Sequence, residues 1–233
     1  MPSAVICNPD VTEKIIRCFN ELEINPVLIP RCNDVAFPVS GHPDIQVFSA
    51  DDNLFCHRNI DRSFVNKSEK FYNIIICDEI LSGNYPRDIN FNCMTSGNFF
   101  FHKLNCTSEK ILTYMKETGR TLVNVNQGYT GCSTLRTGVS IITSDTGIYE
   151  ASVSAGIDSL LISSGNINLP GYKYGFIGGC SGISKNTVYL SGTLENHPDS
   201  EKIISFFKKN SLALKYLSDD TITDYGSFII RDY

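Results

Sequence analysis

The chain has no apolar run approaching the roughly 18 residues needed to cross a bilayer, so no segment reads as a membrane span. Its opening, MPSAVICNPD, lacks both a charged leader and a long apolar stretch, so it does not read as a secretory signal. Basic excess is also missing. Twenty lysines and arginines face 25 acids, for a net charge of −5, and the densest basic spot is Lys208-Lys209 on a helical face. No basic stripe is available to hold nucleic acid, and that partner is excluded. The nine cysteines form no CxxC pair, and Cys7, Cys77 and Cys93 lie in apolar segments. This pattern fits reduced, buried thiols in a cytoplasmic protein better than a disulfide framework or a zinc site. No HxxxH or HxD pair among the four histidines makes a convincing metal site, and His57, His102 and His197 read as surface or satisfied residues. Neither a metal nor another cofactor is expected.

What remains is an ordinary globule of 233 residues, 42% apolar and 19% charged, with no low-complexity segment and no linker. A single domain spanning 1–233 accounts for it. Its organising stretch is Gln127 to Asp145, QGYTGCSTLRTGVSIITSD, which reads as two short strands around a Thr-Gly turn. Equal steps of sequence connect positions 132, 88 and 44: Cys132, Asp88 in YPRDINFN and Asp44 in GHPDIQVF. Each opens an extended run after a turn-type segment, which is the signature of a repeated supersecondary unit. The repeat reads as strand, strand, helix, strand. It is clearest at the hairpin Asp88–Cys93 with Asn98–Phe101, the helix 108–118 and the strand 121–124. A fourth unit takes strands at 174–177 and 187–190, with a helix after Pro198. Near the start, Asp10 to Glu13 has the spacing of a capping box. The C-terminus holds a strand without a helix, and the N-terminus holds strand, helix and strand. A fifth unit assembled from both ends of the chain closes a ring and removes exposed sheet edges.

Five ββαβ units in a pseudo-fivefold ring make this chain similar to the penteins, the guanidino-group-modifying enzyme fold, and to an uncharacterised bacterial branch of it. The resemblance rests on GHPDIQVF, YPRDINFN, QGYTGCST, IITSD and GYKYGFIGG. It implies an α+β, propeller-like architecture. It also implies kinship with arginine and agmatine deiminases, dimethylarginine dimethylaminohydrolase, amidinotransferases and the non-catalytic ribosome anti-association factor. One fold hosts many functions, so the resemblance alone does not assign one. Its catalytic members carry a nucleophilic cysteine near the C-terminus. Here that strand reads DYGSFIIRDY, and the last cysteine is Cys180. The family's nucleophile therefore has no counterpart by position.

In such a ring the first strands line the axis and the residues at their starts converge on one mouth, which would gather His42, Asp44, Arg87, Asp88, Tyr129, Cys132 and Asp224. Cys132 with His42 would then serve as thiolate and general acid/base toward a guanidino, amidine or amide carbon. A cation at His42 or Arg87 would lower the thiol pKa. The plain alternative is a buried thiol after a turn. Asp44, Asp88 and Asp224 would clamp the cationic end of a small-molecule ligand, with Arg87 and Tyr129 beside it. The plain alternative is that they cap turns, as aspartates commonly do. The glycines of GFIGGCSG lack the context of a phosphate loop and are better explained by close packing at the axis. Two functions remain open, a Cys/His hydrolase or transferase and a non-catalytic small-ligand or protein-binding module. The sequence leaves the oligomeric state unspecified.

Overall fold

A computed structural model describes residues 3–232. The first strand β1 (Ala4–Cys7), helix α1 (Glu13–Glu21) and strand β2 (Asn25–Leu28) open the chain. Next come a one-turn helix α2 (Pro43–Gln46), the hairpin β3 (Val47–Ala50) and β4 (Asn53–Cys56), helix α3 (Arg62–Ser68) and strand β5 (Asn73–Ile76). The following unit holds β6 (Met94–Ser96), β7 (Phe99–His102), α4 (Glu109–Glu117) and β8 (Thr121–Asn124). A second one-turn helix, α5 (Thr130–Ser133), leads into β9 (Thr134–Arg136), β10 (Ser140–Thr143), α6 (Thr146–Ser154) and β11 (Asp158–Leu161). The last full unit is β12 (Ser181–Ser184), β13 (Thr187–Leu190), α7 (Ser200–Lys209) and β14 (Ala213–Tyr216), and β15 (Ile229–Arg231) ends the chain.

These strands form five three-stranded sheets, four of them from consecutive segments and the fifth in the order β15-β1-β2. Each sheet has one antiparallel pair joined by a hairpin or by the meeting of the termini. Each also has one parallel pair, whose connection needs a crossover helix. The chain ends thus complete one unit together, with Val5 opposite Ile230 and Ile6 opposite Ile229.

Five apolar clusters show that the sheets close on themselves. Ile6 and Val27 of the terminal sheet pack with Leu54 and Phe64. Phe48 and Phe55 pack with Phe91, Phe100 and Met115. Met94 and Phe101 meet Ile141 and Ile148, and Leu135 and Ile142 meet Val188, Leu190 and Phe207. The circuit ends where Tyr189 and Leu217 return to Val5, Ile15 and Phe19. Each seam buries the face of one sheet against the next, at about 1.5–3 kcal/mol for each large side chain removed from water. The edge strands β6, β9, β12 and β15 meet near the axis, so what precedes them is gathered there.

Several local expectations are corrected. The capping box at α1 does not form: Thr12 makes no side-chain cap, and Asp10 pairs with Arg31 instead. The first full unit has a regular helix at Arg62–Ser68, which Asp61 caps by accepting from the Ser63 and Phe64 amides. Residues 174–177 are loop rather than strand. The inner strands also start later than the equal steps predicted. Asp44 and Cys132 lie in the one-turn helices α2 and α5, and β6 begins only at Met94, well past Asp88. All nine cysteines are free. No helix among the described residues is long and apolar enough to cross a membrane.

Three histidines read as surface or satisfied are buried. His102 is held by Thr107 at 2.6 Å and by the Gly128 carbonyl at 3.0 Å. Burial pushes His57 and His102 down to about 4. The unfolded chain binds protons at these rings near pH 6.5, whereas the folded chain does so only near pH 4. Stability contributed by their neutrality is present above pH 6.5 and is lost as pH falls from 6.5 toward 4, by about 1.4 kcal/mol per unit for each ring. Urea unfolding at pH 7, 6 and 5 should show this fall, and His102→Gln should make it shallower, leaving the part due to His57. Equal stability at pH 7 and 5 would contradict the assignment.

Candidate functional site

The axis opens into a cavity of about 420 Å³. Its floor holds His42, Cys132 and Asp224. Its wall is largely apolar and aromatic, with Tyr129 on one side and Tyr172, Tyr174 and Phe176 of a long loop on the other.

Three chain segments supply the floor. His42 is the N-cap residue of α2, and Pro43 at the first helical position fixes the turn that follows. Cys132 sits in α5, which is tied to the preceding sheet by Asn92. The Asn92 side chain accepts from the Cys132 amide at 2.9 Å and donates to its sulfur at 3.1 Å. Asp224 lies between β14 and β15. Its two oxygens accept from the amides of Phe176 and Gly226, both at 2.9 Å.

Glycine makes this crowding possible. A Cβ on Gly179 would fall 1.9 Å from an Asp224 oxygen, and one on Gly178 would fall 2.3–2.6 Å from carbonyls of the Cys132 turn. The loop glycines are therefore explained by close approach of three backbones, as expected.

The acids set the electrostatics. Cys132 Sγ donates to Asp44 Oδ2 at 2.9 Å, and Ser227 donates to the same oxygen at 2.7 Å. Asp44 Oδ1 has no partner among the described residues. His42 Nδ1 stands 3.8 Å from Asp224 Oδ1 and is likewise without a hydrogen bond among them. Burial, then the charges of Asp44 and Asp224, push the Cys132 thiol well up. Burial also raises Asp224, with His42 opposing. The expectation that a cation lowers the Cys132 pKa is thus corrected: burial and the acids outweigh any cation around the sulfur.

The predicted residues divide. His42, Tyr129, Cys132 and Asp224 line the cavity, and Asp44 lies directly behind Cys132. Asp88 does not line it, but accepts from the Tyr129 hydroxyl and so fixes that wall residue. Burial and Asp88 together push the Tyr129 phenol up. Arg87 is exposed and lines no part of the cavity, because the turn that buries Asp88 leaves its neighbour facing water. Asn92, Ser227 and Lys173 were missed. Asn92 lies in YPRDINFN, the stretch that was singled out, but the equal-step count selected Asp88 within it. The alternation Tyr172, Tyr174, Phe176 was the available signal for the loop wall.

Spacing in the sequence gave no metal site, yet the fold brings His42, Cys132 and Asp224 together. One ligand atom from each lies within 4.8 Å of the other two. Imidazole, thiolate and carboxylate are a donor set that suits zinc. The His42 to Cys132 separation also permits a proton to pass through one intervening water or ligand atom.

The fold is that of the penteins. The chain is similar to dimethylarginine dimethylaminohydrolase from Pseudomonas aeruginosa in complex with citrulline, with a TM-score of 0.55 and 9% identity over 94% of this chain and 93% of that one. It is similar to agmatine deiminase from C. jejuni, with a TM-score of 0.54 and 10% identity over 93% and 88% of the two chains. An amidinotransferase from Microseira wollei matches at a TM-score of 0.55 and 8% identity, over 91% and 78%. At such identities the likeness concerns the fold alone. A comparison with curated proteins finds no match. Residues 6–229 match a family of unknown function, DUF6873, and the chain belongs to that family.

If Asp44 helps to hold the thiol protonated, Asp44→Asn should speed alkylation of Cys132 by iodoacetamide at pH 8 by about threefold or more. Peptide mass spectrometry would follow Cys132 apart from the other eight cysteines. An unchanged rate would show that the carboxylate does not govern the thiol.

Proposed function

We propose that the mouth binds a small cationic ligand of the guanidino or amidine class and that Cys132 attacks its central carbon. The single observation that carries this reading is the placement of two buried acids, Asp44 and Asp224, around one thiol with His42 in reach. Buried carboxylates without a paired cation are costly, and a planar cation carrying several N–H donors matches them. The apolar and aromatic wall suits the methylene body of such a ligand.

The same acids that suppress the thiolate would be neutralised by the ligand's charge. Binding thereby favours ionisation of Cys132 at the moment a target carbon is present. The thiol proton passes to His42 as the sulfur–carbon bond forms. His42 then delivers it to the leaving nitrogen as the carbon–nitrogen bond breaks. Water, deprotonated by His42, attacks the same carbon and the carbon–sulfur bond breaks, restoring the thiol. An amine in place of water gives transfer instead of hydrolysis. Asn92 orients the sulfur, and Tyr129, fixed by Asp88, bounds the pocket. Arg87 has no part in this scheme. Lys173, exposed on the wall, supports a ligand with an acidic tail. A cytoplasmic setting, with reduced thiols, suits this chemistry.

Recognition without reaction is the second reading. It is favoured by the burial and acids that push the Cys132 thiol well up, and by the absence of cysteine from 224–232, where catalytic members of the fold keep theirs.

A thermal-shift panel of arginine, agmatine and related cations separates the readings. A rise in Tm is expected, larger for arginine than for agmatine, abolished by Asp224→Asn and kept by Cys132→Ser. The stabilising compound should then release ammonia or an amine with the native protein and not with Cys132→Ser. Stabilisation without release would leave recognition alone, and no stabilisation across the panel would remove the cation site.

A further inference from the structure

Behind the mouth, the inner strands enclose a second and smaller cavity of about 150 Å³. It is lined by Arg136 and Thr134 of β9, Ser49 of β3, Ser181 of β12 and Ser227, with Gly178 and Gly182 giving it room. The two cavities are back to back. Cys132 and Thr134 are two residues apart on one segment, and Ser227, which lines the inner cavity, donates to the Asp44 that accepts from Cys132.

Arg136 is the unusual member. Its guanidinium makes no ion pair and no hydrogen bond among the described residues, although the residue is only partly exposed and stands inside the ring. Burial pulls its basicity down, while Asp44 acts on it from beyond ion-pair distance in the opposite sense. A guanidinium carries five donors and remains charged, so one without a protein partner on the wall of a largely covered cavity favours an anion there.

The hydroxyls around it are not equivalent. Ser227 and Ser181 have already given their protons, to Asp44 and to the Gly178 carbonyl. Thr134, only 2% exposed, has a hydroxyl with no partner at all among the described residues. Arg136 and Thr134 thus leave donors without partners on the wall of one cavity, and no carboxylate lines it.

We infer that this inner cavity is a binding site for a small oxyanion, a carboxylate or phosphate-sized group, held by the Arg136 guanidinium and the Thr134 hydroxyl. Its volume suits such a group, since a water molecule takes about 30 Å³. The site is separate from the mouth and stands whether or not Cys132 performs chemistry. Because Ser227 and Asp44 form the partition, an anion seated there screens Arg136 from Asp44. Occupancy of the inner site is thereby connected to the acids around the thiol.

The test uses the full chain with acetate and inorganic phosphate as probes, at constant ionic strength set by a large organic salt. Tm of the native protein should rise saturably with at least one probe, and Arg136→Gln should lose that rise. If Arg136→Gln does not fold, Thr134→Val, close in shape, should weaken the response several-fold. A crystal soaked in selenate supplies the position directly. An anomalous peak within hydrogen-bond distance of Arg136 and Thr134 supports the site. A water bridging Arg136 to Asp44 in place of an anion overturns it, as does a probe response that Arg136→Gln and Thr134→Val leave unchanged.

Discussion

The structure depends on how one buried carboxylate is satisfied. Asp44 takes a proton donor from Cys132 and another from Ser227 at the same oxygen, and so joins three segments that are far apart in sequence. Asp224 stands close enough for the charge of Asp44 to affect it. Two acids in a water-poor space repel each other and carry a desolvation cost of several kcal/mol per ion. A chain selected for stability alone would place apolar side chains there. Their retention, around a thiol and an imidazole, is the physical argument that a cation belongs in the mouth.

Ring closure is what makes that meeting possible. The seam between the last full unit and the terminal sheet is packed by Phe19 against Tyr189 and Phe228. It positions Asp224 and Ser227 opposite α2 and α5. Gly226 completes the join with a positive φ of +77° and a face so close to His42 that a Cβ would lie 2.3 Å from the imidazole-bearing carbon. The backbone of the closing segment is therefore pressed directly onto the general acid/base candidate. Position of the histidine, conformation of the glycine and pairing of the chain ends are one arrangement.

Much of this was readable in the residues. The β-branched and aromatic runs at 73–76, 121–124 and 187–190 mark strands because such side chains fit a pleated, buried surface. The unpaired strand at one end and the strand, helix and strand at the other implied closure. Cys132, His42, Asp44 and Asp224 were identified because turn-type segments precede inner strands. The failures have local causes. A one-turn helix of four residues carries no period, so α2 and α5 read as the starts of strands. Unequal connections between units shifted the count, and Asp88 was chosen where Asn92 makes the contact with Cys132. Arg87 was judged by its neighbour, and adjacent residues on a turn face opposite ways. The loop carrying Tyr172, Tyr174 and Phe176 holds its shape through contacts with Asp224 and the axis, which no local pattern encodes.

The decisive issue is whether a cation in the mouth converts the Cys132 thiol to a thiolate. Ultraviolet difference absorbance distinguishes a thiolate from a thiol, and it follows Cys132 as the native protein is titrated with the stabilising cation at pH 7.5. The account predicts a saturable rise in thiolate absorbance on binding, absent in Cys132→Ser. Binding with no rise, or with an equal rise in Cys132→Ser, would contradict it.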